Sequence, residues 1–580
     1  MGTRSISANP CQLIVEQLVA SGVKYVFNNP GSREALFFDA LHAHPDIHAI
    51  TALHEGIVTA MAGGYTQAAL DVGVMTVHLG AGLAQSLGQL INVWSGSLPV
   101  VVITFAGDTG SHADKVSLDL SHNFGPTSIS APFTKANWTV IEPEGLPQAV
   151  SRALRVAKAP PVGPVHLAVY DRLLGSEHVS SDIIEDVNAG DRAGYPADDD
   201  AERIVRALRE SDRPLLYVGD GVWKNGAEAE VMALAEHFGV PVAGDMRSVP
   251  IKHPLHCGSL DQAVAAIEPD CVVCIGVRHG GQGHPEDFSA LTSPQRVIAI
   301  GSDAEYLENI PGADLTVLAD EGRTIERLSD LAVDHTGAQD FDERRAWAQA
   351  HASALRAARQ RAAEGVEARP DRVRPWVLAD TLDNALEQVG GGMVMIEQFA
   401  VPLDAIGGTN EAGRNVYVRP AGGSEGYGIG GAIGLKLGAP DRPVVGLVGD
   451  GSLFYADAGL WTAAHHRVPV LYVIPNNQSY GIVAGAFRRA DATMKSTGEY
   501  AGVALDSMDP VKIAEGFGVE GRHVRDEASL SGAIDDGLDV VEKEGRPLLL
   551  NVHLPSGLPA GAKAASPFRL ARGADGPKSG

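Results

Sequence analysis

The chain is a succession of short apolar runs separated by longer amphipathic stretches. In the first 180 residues, "VKYVF", "IHAIT", "VGVMTV" and "PVVVITF" have strand length, and between them lie helix-like stretches such as "EGIVTAMAGGYTQAA". Strands buried on both faces read as continuous apolar runs rather than as alternation, so the pattern predicts a parallel sheet covered by helices on both sides. The polar, acidic, aperiodic "GSEHVSSDIIEDVNAGDRAGYPADDD" then reads as a linker. A second series, "PLLYVGD", "VPVAGD", "CVVCIGV", "RVIAIGSD" and "LTVLAD", ends near residue 335. "DERRAWAQAHASALRAARQRAAEG" reads as one long, exposed, Ala/Arg-rich helix. "VEARPDRVRPW" leads from it into a third series, "MVMIEQ", "PVVGLVGD", "VPVLYVIPNN" and "PLLLNVHL". The expected fold class is therefore α/β, with three domains that each hold a central parallel sheet flanked by helices. The expected boundaries are 1–180, 195–335 and 370–560, with a Pro/Gly/Ala-rich tail at 561–580 as a candidate lid. No short-period repeat is visible.

Composition narrows the function classes. The net charge is −26 over 580 residues, which leaves no basic footprint for nucleic acid or an anionic membrane surface. No apolar run reaches about 18 residues, so no membrane span is expected, and no basic start followed by an apolar core suggests secretion. Of the four cysteines, Cys271 and Cys274 have redox or zinc spacing, but they lie inside the strand-like "PDCVVCIGV" and no second pair exists. They read as core cysteines of a protein in a reducing, cytoplasmic setting.

The string "VGDG" occurs twice after an apolar run, with Asp220 and with Asp450. Ligands of open parallel sheets bind at the carboxyl ends of strands. Mg²⁺ needs hard oxygen ligands, few from protein and the rest from phosphate and water. A second protein ligand is expected one strand–helix–strand unit later. Asp450 meets this test: a helix-like "SLFYADAGLWTAAHH" and a strand-like "VPVLYVIP" lead to Asn477, 27 residues on, with the Ser479 carbonyl as a further donor. Gly451 and Ser452 read as a helix N-terminus that attracts phosphate. At the equivalent offset from Asp220 stands Arg247, so Asp220 reads as a loop residue closing a strand.

"GDGS…NN" resembles the diphosphate and Mg²⁺ motif of thiamine diphosphate enzymes. The chain is similar to the 2-oxoacid decarboxylase and acetolactate synthase group, and most similar to benzoylformate decarboxylases, from about residue 10 to residue 555. The resemblance implies a pyrimidine-binding, a central and a diphosphate-binding domain. It implies Glu55, in "TALHEGIVTAMAGGYTQ", as the acid that shares a proton with the cofactor's aminopyrimidine. It implies Ser32 in "VFNNPGSREALFF" at the substrate carboxylate, and His78 in "MTVHLGAGLAQ" as a proton carrier, since histidine titrates near neutral pH. A second histidine from the central domain maps to His279 or His284, with His284 preferred by offset. Around the cofactor the resemblance places Phe399, Ala400, Gly423, Ser424, Gly451, Ser452, Asn477, Ser479, Tyr480 and Gly481. One position departs: where the family has a bulky apolar residue under the cofactor, an ungapped count gives Glu425. Ile482, Val483 and Ala486 would line an apolar substrate pocket, while Arg488 and Arg489 face solvent.

The implied activity is a thiamine diphosphate- and Mg²⁺-dependent cleavage or formation of a C–C bond next to a carbonyl, on a small 2-oxoacid or 2-hydroxyketone. The implied assembly is a homodimer or homotetramer with the active site between subunits. Three alternatives stay open: an acetolactate-synthase-like carboligase with FAD in the central domain, which is less favoured; a 2-hydroxyacyl-CoA or oxalyl-CoA type lyase; and an inactive binding protein on the same fold.

Overall fold

A computed structural model describes residues 2–106, 125–185, 194–278, 288–335, 341–410, 415–490 and 493–566. The first sheet holds β1 (Tyr25–Asn29), β2 (His48–Thr51), β3 (Gly73–Val77), β4 (Val100–Ala106), β5 (Ala136–Val140) and β6 (Val165–Tyr170), all parallel, in the order β2-β1-β3-β4-β6-β5. The central sheet holds β7 (Pro214–Val218), β8 (Val242–Gly244), β9 (Cys271–Ile275), β10 (Arg296–Gly301) and β11 (Leu315–Leu318), parallel in the order β8-β7-β9-β10-β11. The third holds β12 (Met393–Glu397), β13 (Val416–Val418), β14 (Val444–Val448), β15 (Leu471–Asn476), β16 (Glu520–Val524) and β17 (Leu548–His553), parallel in the order β13-β12-β14-β15-β17-β16. The first and third sheets therefore share one strand order. The fold is three α/β domains with central parallel sheets.

Helices α1 (Glu55–Ala69) and α2 (Ala81–Ser95) flank β3 in the chain; α3 (Asp342–Glu364) follows the central sheet; α4 (Gly428–Gly438) and α5 (Asp450–Ala456) flank β14. α1 and α4 occupy the same place in their respective domains, after the second strand and before the third, and they pack on each other. The seam is made of glycines. Gly430, Gly434 and Gly438 lie four apart on one face of α4. A Cβ on Gly430 would stand 2.9 Å from Ile57 O, one on Gly438 2.8 Å from Tyr65 O, and one on Gly434 would run into Met61 O. Across the seam, a Cβ on Gly64 would run into Gly431 O. Ile57, Met61, Ile429 and Ile433 bury themselves in one apolar core shared by both domains.

Several expectations are corrected. The stretch read as a linker contains the strand Val179–Ile184, which pairs antiparallel with Thr3–Ala8 and buries Ile183; its apolar positions are thinly spread among serines and acids. α3 is not exposed all round. It buries Ala348, Ala352 and Arg356, spaced four apart, while Arg356 Nη2 donates to His253 O at 2.9 Å and Arg359 Nε to Asp404 O at 3.0 Å. It thus joins the central domain to the third. "SLFYADAGLWTAAHH" forms two short helices, α5 and Gly459–His465. Cys271 and Cys274 are free and buried in β9, as expected. Of the candidate lid, Lys563–Ala564 pairs with Glu499–Tyr500, and residues 567–580 lie outside the described residues. No helix among the described residues is long and apolar enough to cross a membrane.

Candidate active site

The turn after β14 and the turn after β15 meet. Asp450 is buried; its Oδ1 accepts from Gly451 N at 3.0 Å and its Oδ2 from Gln478 N at 2.7 Å. Gln478 is a non-glycine residue in the left-handed region, with φ 59°, a strain that clusters at functional turns. Asn477 Oδ1 accepts from Ser479 N at 3.0 Å, and Ser479 O from Gly481 N at 2.9 Å. Burial pushes the Asp450 carboxyl up to about 6 against these amide bonds. No cation pairs with Asp450 among the described residues. A buried carboxylate, an amide oxygen and a carbonyl on facing turns form a hard, all-oxygen donor set that fits Mg²⁺ completed by phosphate and water. No cluster of three His, Cys, Asp or Glu among the described residues is placed to hold a metal unaided. α5 has only seven residues, so its macrodipole is weak, and with Gly451 N given to Asp450 Oδ1 its attraction for phosphate rests on the remaining first-turn amides, that of Ser452 among them. The ring of Tyr480 closes on Gly451, where a Cβ would stand 2.6 Å from it.

A second loop lies beside this turn. Buried Glu397, the last residue of β12, accepts from Gly426 N and Tyr427 N at 2.8 Å each and from Gly428 N at 2.7 Å. Burial pushes its carboxyl up to about 8; the amides oppose this and nearby Glu425 adds to it. Gly423 and Gly426 have φ of 69° and 98°, which the loop needs in order to turn. Glu425 Oε2 accepts from Ser452 Oγ at 2.5 Å. From the first domain, Gln89 Nε2 donates to Glu425 O and Asn92 Nδ2 to Ser424 O, both at 2.7 Å. Phe399 is 66% exposed and Ala400 half-buried at the same edge. Glu397 was not singled out from the sequence, although an acid closing the apolar run "MVMIE" was a visible signal.

In the first domain, exposed Ser32 opens the turn Ser32–Glu34, and Glu34 is 1% exposed. Glu34 Oε1 lies 2.9 Å from His78 Nδ1. Buried Glu55 begins α1, whose N-cap His54 accepts from Gly56 N. A Cβ on Gly82 would stand 3.0 Å from Glu55 Oε1 and 3.3 Å from His78 Cβ. Glu55, His78 and the Ser32 turn are thus brought together, with Glu34 as the member that sequence reasoning missed. α2 runs from this cluster to the Ser424–Glu425 loop. His279 and His284 lie outside the described residues. Ile482, Val483 and Ala486 are exposed on helix Gly481–Arg489, and so are Arg488 and Arg489.

The "VGDG" at Asp220 is not a plain loop. Asp220 pairs with Lys224 at 2.6 Å and with Arg278 at 2.5 Å. Lys224 Nζ and Arg278 Nη2 both donate to Gly96 O, at 2.6 and 2.7 Å. The opposing cations hold the Asp220 carboxyl well below the usual carboxylate range despite its burial. Asp220 is the hub of a clamp between the central and first domains.

Comparison with known proteins agrees with this arrangement. Three family models match: the thiamine pyrophosphate enzyme N-terminal TPP binding domain over residues 9–123, the central domain over 201–328, and the C-terminal TPP binding domain over 408–552. The chain is 27% identical to benzoylformate decarboxylase of Pseudomonas aeruginosa, over 93% of this chain and 97% of that one. It is 23% identical to the acetolactate synthase isozyme 3 large subunit of Escherichia coli, over 91% and 92%. Among solved structures it is similar in fold to a thiamine diphosphate-dependent 4-hydroxybenzoylformate decarboxylase of Rhodococcus jostii RHA1, with TM-score 0.76, 23% identity and coverage of 95% and 99%. Given a glycine loop beside an oxygen-lined turn in the third domain, a buried acid in the first, and these matches, the chain belongs to the thiamine pyrophosphate enzymes.

Proposed function

We propose that this thiamine diphosphate enzyme uses Mg²⁺ and acts as a 2-oxoacid decarboxylase and carboligase, breaking or forming a C–C bond next to a carbonyl. The observation that carries the reading is the pair of facing turns at Asp450 and Asn477–Ser479 beside the Gly423–Gly428 loop. Bound thiamine diphosphate supplies a nucleophilic carbon and an electron sink. Asp450, Asn477 and the Ser479 carbonyl would hold Mg²⁺, and Gly451 and Ser452 lie beside the diphosphate, with the Ser452 amide free to meet a phosphate oxygen. Phe399, Ala400, Gly423, Ser424, Glu425, Tyr480 and Gly481 surround the rest of the cofactor. Glu55 holds a proton at the aminopyrimidine. Ser32 meets the substrate carboxylate, and Ile482, Val483 and Ala486 face its organic group. With Nδ1 held by Glu34, proton exchange between His78 and substrate falls to Nε2.

The site is completed by a second copy of the chain. Leu53, Phe399, Tyr455 and Ile482 are all at least half exposed next to site residues, an apolar rim suited to a subunit contact. Four buried free cysteines suit a cytoplasmic location. The test is mass-spectrometric product analysis of the protein with thiamine diphosphate and Mg²⁺ over a panel of 2-oxoacids and 2-hydroxyketones. Release of CO₂ with an aldehyde or hydroxyketone supports the reading; a panel left untouched sinks it.

A further inference from the structure

A cavity of about 360 Å³ lies where the central and third domains meet, and it opens onto the Gly423–Glu425 loop. Its charged groups are not equally committed. Asp220 and Arg278 hold each other. Glu397 is taken by three amides. Arg247 pairs with Glu228 at 3.5 Å through Nη1, but its buried Nε has no partner. Arg419 differs from all of these. It stands just after β13, its carbonyl accepts from Gln67 Nε2 at 3.2 Å, and its side chain is exposed to the cavity, where the guanidinium makes no hydrogen bond or ion pair among the described residues. The charge that acts on it is that of Asp245, across the cavity on the central domain. A guanidinium offers a planar fork of donors matched to a carboxylate, and one that opens into a cavity with no acid bonded to it is free to take an anion.

We infer that Arg419, backed by Arg247, makes this cavity a binding site for a monocarboxylic acid with an apolar body. The apolar part follows from Met246, Leu260 and Phe399 on the walls. The single charge follows from Asp245 and Glu425 on the same walls. Arg247 and Arg419 already match these two acids, so one carboxylate on Arg419 adds a single negative charge to the cavity, whereas a phosphate dianion or a nucleotide diphosphate adds two or more beside both acids. Arg419 and Glu425 are six residues apart on one loop, so an acid anchored on Arg419 lies along the loop toward the place assigned to the cofactor. Its role as a second substrate or a product rests on the proposed function; its binding does not.

The test is calorimetric titration of the full chain, without cofactor, with benzoate, which carries one carboxylate and cannot react. Saturable binding at one site per chain is expected, weakened about tenfold or more by Arg419→Met and less by Arg419→Lys, with unchanged thermal unfolding in both variants. Neither ADP nor inorganic phosphate should displace benzoate. Absence of benzoate binding, affinity unchanged in Arg419→Met, or displacement by ADP overturns the inference. A chain that binds benzoate through Arg419 yet turns over no 2-oxoacid retains this site and loses the proposed function. A chain that turns over 2-oxoacids with Arg419-independent benzoate affinity does the reverse.

Discussion

Glu34 and His78 form a carboxylate–imidazole pair, with Oε1 2.9 Å from Nδ1 and the glutamate sealed from solvent. A Cβ on Gly31 would collide with both side chains, so the turn preceding Ser32 is shaped around the pair. Glu34→Gln removes the carboxylate that holds the ring by Nδ1. Turnover is expected to fall by about 100-fold with the fold intact. Steady-state rates, beside thermal unfolding, check this; a wild-type rate in the variant refutes it.

Glu55→Gln keeps shape and burial but cannot share a proton. Exchange of the C2 proton of bound thiamine diphosphate, followed by NMR in D₂O, should slow by about 10²- to 10³-fold. Exchange at the wild-type rate would remove Glu55 from its assigned role.

Asp450→Ala takes away the one charged donor of the facing turns. Cofactor affinity measured in Mg²⁺ should fall about 100-fold or more, and chelation of Mg²⁺ from the wild-type protein should produce a loss of the same kind. If the variant retains Mg²⁺-dependent affinity, the cation sits elsewhere.

Gly434→Ala places a methyl against the carbonyl of Met61, and helix backbones cannot retreat as side chains do. A loss of about 2–3 kcal/mol in urea unfolding is expected. Gly545→Ala tests the alternative that glycine replacement harms in general through strain: Gly545 has φ 63° and open space around it, so its cost should be about 1 kcal/mol.

Glu397 carries a pH signature. Burial raises its carboxyl above the ordinary value of 4.5 to about 8, so the folded chain holds a proton that the unfolded chain has lost between these values. Its stabilising contribution is full below about 4.5 and lost as pH rises through about 8, with a slope of at most about 1.4 kcal/mol per pH unit. Thermal unfolding of the cofactor-free protein should show this decline, and Glu397→Gln should flatten it. An equal slope in the variant would assign the decline to other groups.

The sheets were legible because strands buried on both faces leave unbroken apolar runs, and the Asp450–Asn477 spacing was legible because one strand–helix–strand unit sets it. The misses share a cause: they depend on what a residue meets far along the chain. The strand Val179–Ile184 exists through Thr3–Ala8, more than 170 residues away. Glu34 matters through His78, and Asp220 through Arg278 and Gly96. α3 hides its buried face because alanine and arginine look the same to a hydropathy pattern whether packed or not. Arg419 is conspicuous only when the groups around it have been shown to be engaged with others.

The shared strand order has a further consequence. The turn after the third strand carries His78 in one domain and Asp450 in the other, so on the proposed reading one architectural slot serves proton handling in the first domain and metal binding in the third. The two domains share one frame and differ in what they place in this slot. A substrate-facing domain borrowed from a relative would bring its own proton chemistry while leaving the metal turn untouched. It would have to bring one thing more, the glycine face that lets α1 and α4 lie backbone to backbone.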